Sequence, residues 1–232
     1  NDEIYLILSN TLRYVLYILP FILVFGFLLG VLLQKKSKLN VVFRTLIYTP
    51  HVASMVGLSV VWLYIFNPQY GVVNSILKAA GLESLTHNWL MDTTTAFPSV
   101  TMTWLLFAGY TTTLVLAEAL TIDDSVLEAA RVDGATSFQT DMFVVLPLLR
   151  KIIGTTMVMA ATYMLQMFDL IYITTKGGPG SATMNLPLML YSVYKNENNY
   201  GYSNAIGVCI VIAGVVCMTL INKAMRVNEE DY

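Results

Sequence analysis

The sequence predicts an all-α, polytopic transmembrane helical bundle, and composition, charge placement and the pattern of apolar runs all point there. Hydrophobic residues make up 56% of the 232-residue chain and charged residues only 12%, against about 25% charged in a soluble domain. Counting His as neutral, charges are absent from residues 14–33, 45–66, 97–117, 152–168 and 205–222. Runs of this length, as helices, match a hydrocarbon core about 30 Å thick. They lack the alternation of barrel strands, and a chain in lipid must satisfy its backbone internally, so helices are the expected form. Five spans follow, over about residues 4–33, 41–66, 97–120, 152–174 and 205–222, in a single transmembrane domain covering 1–232.

Basic residues near span ends stay in the cytoplasm and so orient the chain. Lys35, Lys36, Lys38 and Arg44 join the first two spans, Arg131, Arg150 and Lys151 the third and fourth, and Lys223 and Arg226 follow the fifth. The remaining four, Arg13, Lys78, Lys176 and Lys195, fall on the other side. The alternation puts residue 1 outside and residue 232 in the cytoplasm. A chain that starts in the cytoplasm then needs an odd number of spans before Asn1, so a native N-terminal span is expected to be missing.

The first span carries Pro20 and, four residues apart, Gly26 and Gly30, a spacing that lets a neighbouring helix approach closely. In the second, Pro50 frees a carbonyl and bends the helix. His51 beside it is read as a hydrogen-bonded structural histidine, with no acidic partner within a turn or two for a proton relay. The external loop 67–95 contains an amphipathic stretch at 72–80, and Trp62 and Trp89 stand where aromatic residues anchor at interfaces. The third span, with Thr111-Thr112-Thr113, is the most polar and a candidate for lining a pathway. Cys209 and Cys217 lie about 12 Å apart on one helix, too far for a bridge.

The longest cytoplasmic segment, 121–151, is built rather than linker-like. Ser125-Val126-Leu127-Glu128 matches a capping box that would start a helix, and Gly134 supplies the left-handed residue that ends it. Thr136 or Ser137 caps a second helix running through Phe143, and Pro147 bends the chain into the fourth span. Two short helices hinged at one glycine make a protruding elbow. An amphipathic helix lying on the inner membrane surface is the other reading of the same residues.

Several chemistries are excluded. No basic stripe suggests nucleic acid, and Lys176-Gly177-Gly178-Pro179-Gly180 has no Gly-Lys-Ser/Thr after it and no strand before it, so it is not a phosphate loop. No paired carboxylates, His/Cys metal set or nucleophile–base arrangement appears. The chain is not read as an enzyme, and any ATP hydrolysis belongs to another chain.

Glu128-Ala129-Ala130, Asp133-Gly134-Ala135 and Leu146-Pro147 resemble the EAA loop of binding-protein-dependent ABC importer permeases. Asn67-Pro68-x-Tyr70-Gly71, Phe168-Asp169 and Gly177-Gly178-Pro179 resemble signatures of the carbohydrate-uptake branch, which holds the larger maltose-permease-type membrane subunit. Asp123 and Lys151 stand where that family often has proline. The resemblance implies the type I ABC importer permease fold, with short cytoplasmic coupling helices, in a bacterial or archaeal cytoplasmic (inner) membrane. It implies a second homologous permease subunit, two cytoplasmic ATPase subunits that carry ATP and magnesium, and an extracellular or periplasmic sugar-binding protein. No cofactor is expected in this chain. Glu128, Ala129, Ala130, Asp133, Gly134, Ala135, Leu146 and Pro147 become the ATPase-coupling residues. Thr103, Phe107, Tyr110, Ala160, Met164 and Met167 become substrate-binding candidates, with helix packing as the other reading of Met164 and Met167. The implied function is ATP-driven import of a sugar, an oligosaccharide in particular. The alternatives are a same-fold importer of glycerol phosphate, amino acids or polyamines, and an ATP-independent carrier, which would want charges inside its spans.

Overall fold

The computed structural model describes residues 2–33, 37–225 and 227. Lys35, Lys36 and Arg226, used above to orient the chain, lie outside the described residues, as do Asn1 and Tyr232. The described residues form helices α1 (Asp2–Leu32), α2 (Lys38–Val52), α3 (Met55–Ile65), α4 (Val72–Ala79), α5 (Ala96–Thr103) and α6 (Ala108–Ala119). There follow α7 (Asp124–Val132), α8 (Ser137–Thr140), α9 (Leu146–Leu148), α10 (Arg150–Leu165), α11 (Asp169–Thr174), α12 (Leu186–Asn196) and α13 (Tyr200–Met225). Among these residues there is no strand. By length and hydropathy Glu3–Leu32, Ala96–Ala119, Arg150–Thr174 and Tyr200–Met225 can each cross a membrane, and α2 with α3 makes a fifth span when taken as one.

Three spans depart from simple rods. The second, expected as one helix over 41–66, is two helices separated at Ala53 and Ser54. Pro50 removes one helical donor just upstream, and Ser54, extended at φ −61° and ψ 130°, starts α3 afresh. A 3₁₀ turn, Trp104–Phe107, joins α5 to α6. The fourth span stops at Leu165 and restarts at Asp169. Helix α12 went unforeseen, although Asn185 as N-cap and Pro187 in the first turn are start signals written in the sequence.

The chain divides into two compact units. The first comprises Asn1–Ile18, Ala53–Leu105 and Thr162–Val215. Ile7, Leu186, Met189, Val193 and Ile206 form a core here. Polar side chains of α1 organise the glycine-rich segment after α11, where Lys176, Gly177, Gly180 and Ser181 all have positive φ. The Asn10 amide donates to the carbonyls of Ser181, Ala182 and Met184 at 3.0–3.2 Å. Tyr14, stacked 4.4 Å from Phe97, donates its hydroxyl to the Thr183 carbonyl. Asn10 is 1% exposed, so Asn10→Leu removes three hydrogen bonds to the carbonyls of this segment. It is expected to destabilise this unit by about 1–3 kcal/mol, read as a lower thermal midpoint in detergent.

The second unit comprises Leu19–Val52, Leu106–Ala161 and Val216–Tyr232. Its core joins Val115, Ala119, Val145, Leu149 and Ile153, with Leu23, Phe27 and Val31 of α1 packed against it. The two glycines of α1 do what their spacing predicts. A Cβ on Gly26 would lie 2.5 Å from Thr111 Cγ2, and one on Gly30 would lie 2.8 Å from Val115 Cγ1. Gly26→Leu therefore forces α1 from α6, at a cost of about 1–3 kcal/mol, checked by the same thermal measurement.

Candidate coupling elbow and translocation residues

The segment between α6 and α10 belongs to the second unit and is an elbow. Helix α7 begins two residues earlier than the predicted capping box. Asp123, not Ser125, is the N-cap, and its carboxylate accepts the Ser125 N–H at 2.9 Å. That hydrogen bond holds the Asp123 carboxyl below its ordinary pKa. Asp123 wins because its acidic side chain matches the positive end of the helix dipole. At the other end the Gly134 N–H donates to Arg131 and the Ala135 N–H to Ala130, each at 3.0 Å, with Gly134 at φ +81°. This is a helix terminus closed by a left-handed glycine. Thr136 and Gln139 then form a complete reciprocal capping box that opens α8. A π-helical turn, Asp141–Val145, precedes Pro147.

Glu128, Ala129, Asp133, Gly134 and Pro147 are exposed, while Ala130, Ala135 and Leu146 are half-buried. The elbow is also rooted. Leu127 and Leu146 pack against the core, and Val145 and Leu149 are 2% and 0% exposed within it. Packed side chains thus link α7 and α9 to α6 and α10. Three apolar residues on the elbow face outward and were missed in the sequence: Val132, Phe138 and Phe143, at 87%, 71% and 75% exposed. Exposed apolar side chains grouped in this way are of the kind that protein or membrane contact surfaces present.

The six substrate candidates divide between the units. In the first, Thr103, Met164 and Met167 are buried. The Thr103 hydroxyl donates to the Val100 carbonyl at 2.6 Å, and both methionines are packed inside, as their packing alternative required. Beside them the break between α10 and α11 opens a cavity of about 140 Å³, lined by Met55, Trp104, Tyr163, Gln166, Met167, Phe168 and Asp169. Trp104 and Tyr163 meet edge to face at 5.5 Å. Gln166, Tyr163 and Asp169 are exposed, so a broken span presents an amide, a phenol and a carboxylate. Broken spans are where membrane transporters place solute sites.

In the second unit Phe107 and Tyr110 come together around His51. The imidazole stacks on the Tyr110 ring at 5.3 Å and 12°, meets Phe107 edge-on at 5.0 Å, and has Tyr48 5.9 Å away on a nearly parallel plane. The Tyr110 hydroxyl donates to Met159 Sδ at 3.6 Å. The expected hydrogen-bonded histidine is corrected here: His51 Nδ1 is buried without a hydrogen-bond partner among the described residues, and stacking holds the ring. Ala160 is half-buried on α10. A further cavity of about 480 Å³ in this unit is lined by Arg44, Thr45, Tyr48, Thr49, Thr112 and Thr113, among others. The hydroxyls of those four threonines donate back along their own helices, which leaves oxygen lone pairs for a solute's donors.

Residues 22–227 match the family described as binding-protein-dependent transport system inner membrane component. A probable ABC transporter permease protein of Bacillus subtilis is 32% identical over 210 residues, spanning 89% of this chain and 72% of that protein. The lactose transport system permease protein of Rhizobium radiobacter is 30% identical, covering 97% of this chain and 78% of its own length. Among solved structures, a bacterial ABC transporter involved in the import of the acidic polysaccharide alginate superposes with a TM-score of 0.87. It is 22% identical and covers 97% of this chain and 80% of that one.

Proposed function

The chain belongs to the family of binding-protein-dependent transport system inner membrane components, the permease subunits of ABC importers, and on that premise we propose that it imports a sugar, an oligosaccharide in particular. The observation that carries this reading is the aromatic set His51, Phe107 and Tyr110 in the unit that also holds a threonine-lined cavity. Flat rings stack on the apolar faces of sugar rings, and hydroxyl oxygens accept from sugar hydroxyls. Relatives named for lactose transport and for multiple-sugar transport agree with this.

In this reading the elbow docks a cytoplasmic ATPase, with Glu128, Ala129, Ala130, Asp133, Gly134 and Ala135 at the contact and Leu146 and Pro147 joining it to α10. A second homologous permease completes the pathway, two ATPase subunits drive it, and an external binding protein delivers the solute. The N-terminal end of α1 faces outward and the elbow faces the cytoplasm, in keeping with the basic-residue asymmetry. ATP-driven closure of the ATPases would turn the elbows, and the packed roots Leu127, Val145 and Leu149 would carry that turn into α6 and α10. Thr103, Met164 and Met167 would reach solute only in another state of the cycle, since they are buried in this one. Tyr163 and Gln166 join the candidate contacts in their place.

One observation favours a second reading, an anionic solute such as glycerol phosphate. Arg44 lines the larger cavity; its guanidinium donates to the Leu33 carbonyl, and its buried Nε has no partner among the described residues. One experiment separates the two. The complex is purified from its native membrane, the co-purifying subunits are identified, and neutral oligosaccharides and glycerol phosphate are compared for stimulation of its ATPase through the binding protein. Stimulation by oligosaccharides is the expected result. Stimulation by glycerol phosphate alone would replace the sugar reading with the anionic one.

A further inference from the structure

Helix α4 carries apolar residues on two sides: Val73 and Leu77 are half-buried, while Val72, Ile76 and Ala79 are exposed. Its most buried side chain is Asn74, 2% exposed. The Asn74 amide donates to the carbonyls of Pro68 and His87 at 3.1 and 3.0 Å, and its oxygen accepts the Trp89 indole N–H at 2.7 Å. Its outward stripe is apolar: Val72, Ile76, Ala79 and Ala80, at helical spacings of four, seven and eight residues, are all exposed. Val72 is 54% and Ile76 63% exposed. An amphipathic helix in water turns such a stripe inward, so this one is built to meet an apolar medium.

What that medium is follows from continuity. Helix α3, part of the broken second span, leads through one turn into α4, with the Gly71 N–H donating to Asn67 and the Ser75 N–H to Gly71. Val56, Val60, Val61 and Tyr64 are exposed along α3, an apolar surface suited only to lipid or protein. Tyr64 and Tyr70, 6.3 Å apart, mark the end of that span, where aromatic residues sit at headgroup level. Lys78 is exposed one turn after Asn74, on the polar side of α4, where a helix lying in the plane of a bilayer surface carries its cations.

We propose that α4 is an interfacial helix, with Val72, Ile76 and Ala79 seated at the acyl boundary of the bilayer and Lys78 reaching lipid phosphates. The Asn74 node then ties the loop 67–95 to a fixed depth at the membrane surface, and α3 with it.

The test uses the assembled transporter in phospholipid vesicles, with Cys209 and Cys217 replaced by alanine. Single cysteines at Val72→Cys, Ile76→Cys, Ser75→Cys and Lys78→Cys carry a small environment-sensitive fluorophore. All four positions are exposed, so the label displaces no packed side chain. Shallow-brominated phospholipid should quench the labels at 72 and 76 several-fold more than those at 75 and 78, and aqueous iodide should show the reverse order. Iodide quenching at 76 equal to that at 75 would overturn the proposal in favour of a solvated loop. Protection of 76 from both quenchers would overturn it in favour of a protein partner on the stripe.

Discussion

Gly134→Pro is expected to cut solute uptake about tenfold or more while the subunit still reaches the membrane and the ATPases still turn over. Gly134 sits at φ +81° and its N–H closes the end of α7 on the Arg131 carbonyl. Proline holds φ near −65° and has no N–H, so the native bend is closed to it, and the residue before it leaves the helical region. The penalty exceeds about 1 kcal/mol, and on the proposed docking a re-aimed elbow would lose its fit to an ATPase. Because the roots Val145 and Leu149 lie in the core rather than at the hinge, insertion survives. Gly134→Ala separates backbone from crowding: nothing lies within 4 Å of a Cβ built there. Only the strain of positive φ, about 1 kcal/mol, opposes it, and uptake should fall much less. ATP hydrolysis and labelled-solute uptake are measured in the same vesicles. Normal uptake by both Gly134→Pro and a bulky Ala130→Trp would remove the docking assignment.

The second large effect is expected at the stacked rings. Tyr110→Ala and His51→Ala each should raise the apparent KM for uptake about tenfold, the equivalent of about 1.4 kcal/mol of lost stacking and burial. Tyr110→Phe keeps the ring against His51 and gives up only the weak contact with Met159, so its KM should change far less. Uptake kinetics, normalised to the amount of complex in the membrane, give the answer. Unchanged kinetics in both alanine variants would take the pathway away from this cluster.

The helices were legible because charge-free runs of span length have one outcome in lipid. The breaks were harder. Pro50 announced a bend, but nothing in residues 152–174 announces the interruption at Gln166–Phe168, where no proline stands. The stop is fixed by tertiary contacts, among them the Asn185 amide donating to the Met167 carbonyl at 2.5 Å. Orientation of side chains around a span was the least legible feature. In a helix that is apolar all round, periodicity does not say which face meets protein, and so the burial of Met164 and Met167 was not readable from their spacing. The elbow was readable because capping and glycine chemistry are local. Even there a competition between Asp123 and Ser125, two residues apart, moved the helix start.

The hydrogen bonds from Asn10 to the segment after α11 have a consequence for how the chain is made. They join residues 171, 172 and 174 positions apart. Helix α1 is thus made carrying a carboxamide whose acceptors are translated only after α10 and α11. Until they arrive, that carboxamide must borrow a partner, from water in the insertion machinery or from another polypeptide, because hydrocarbon offers none.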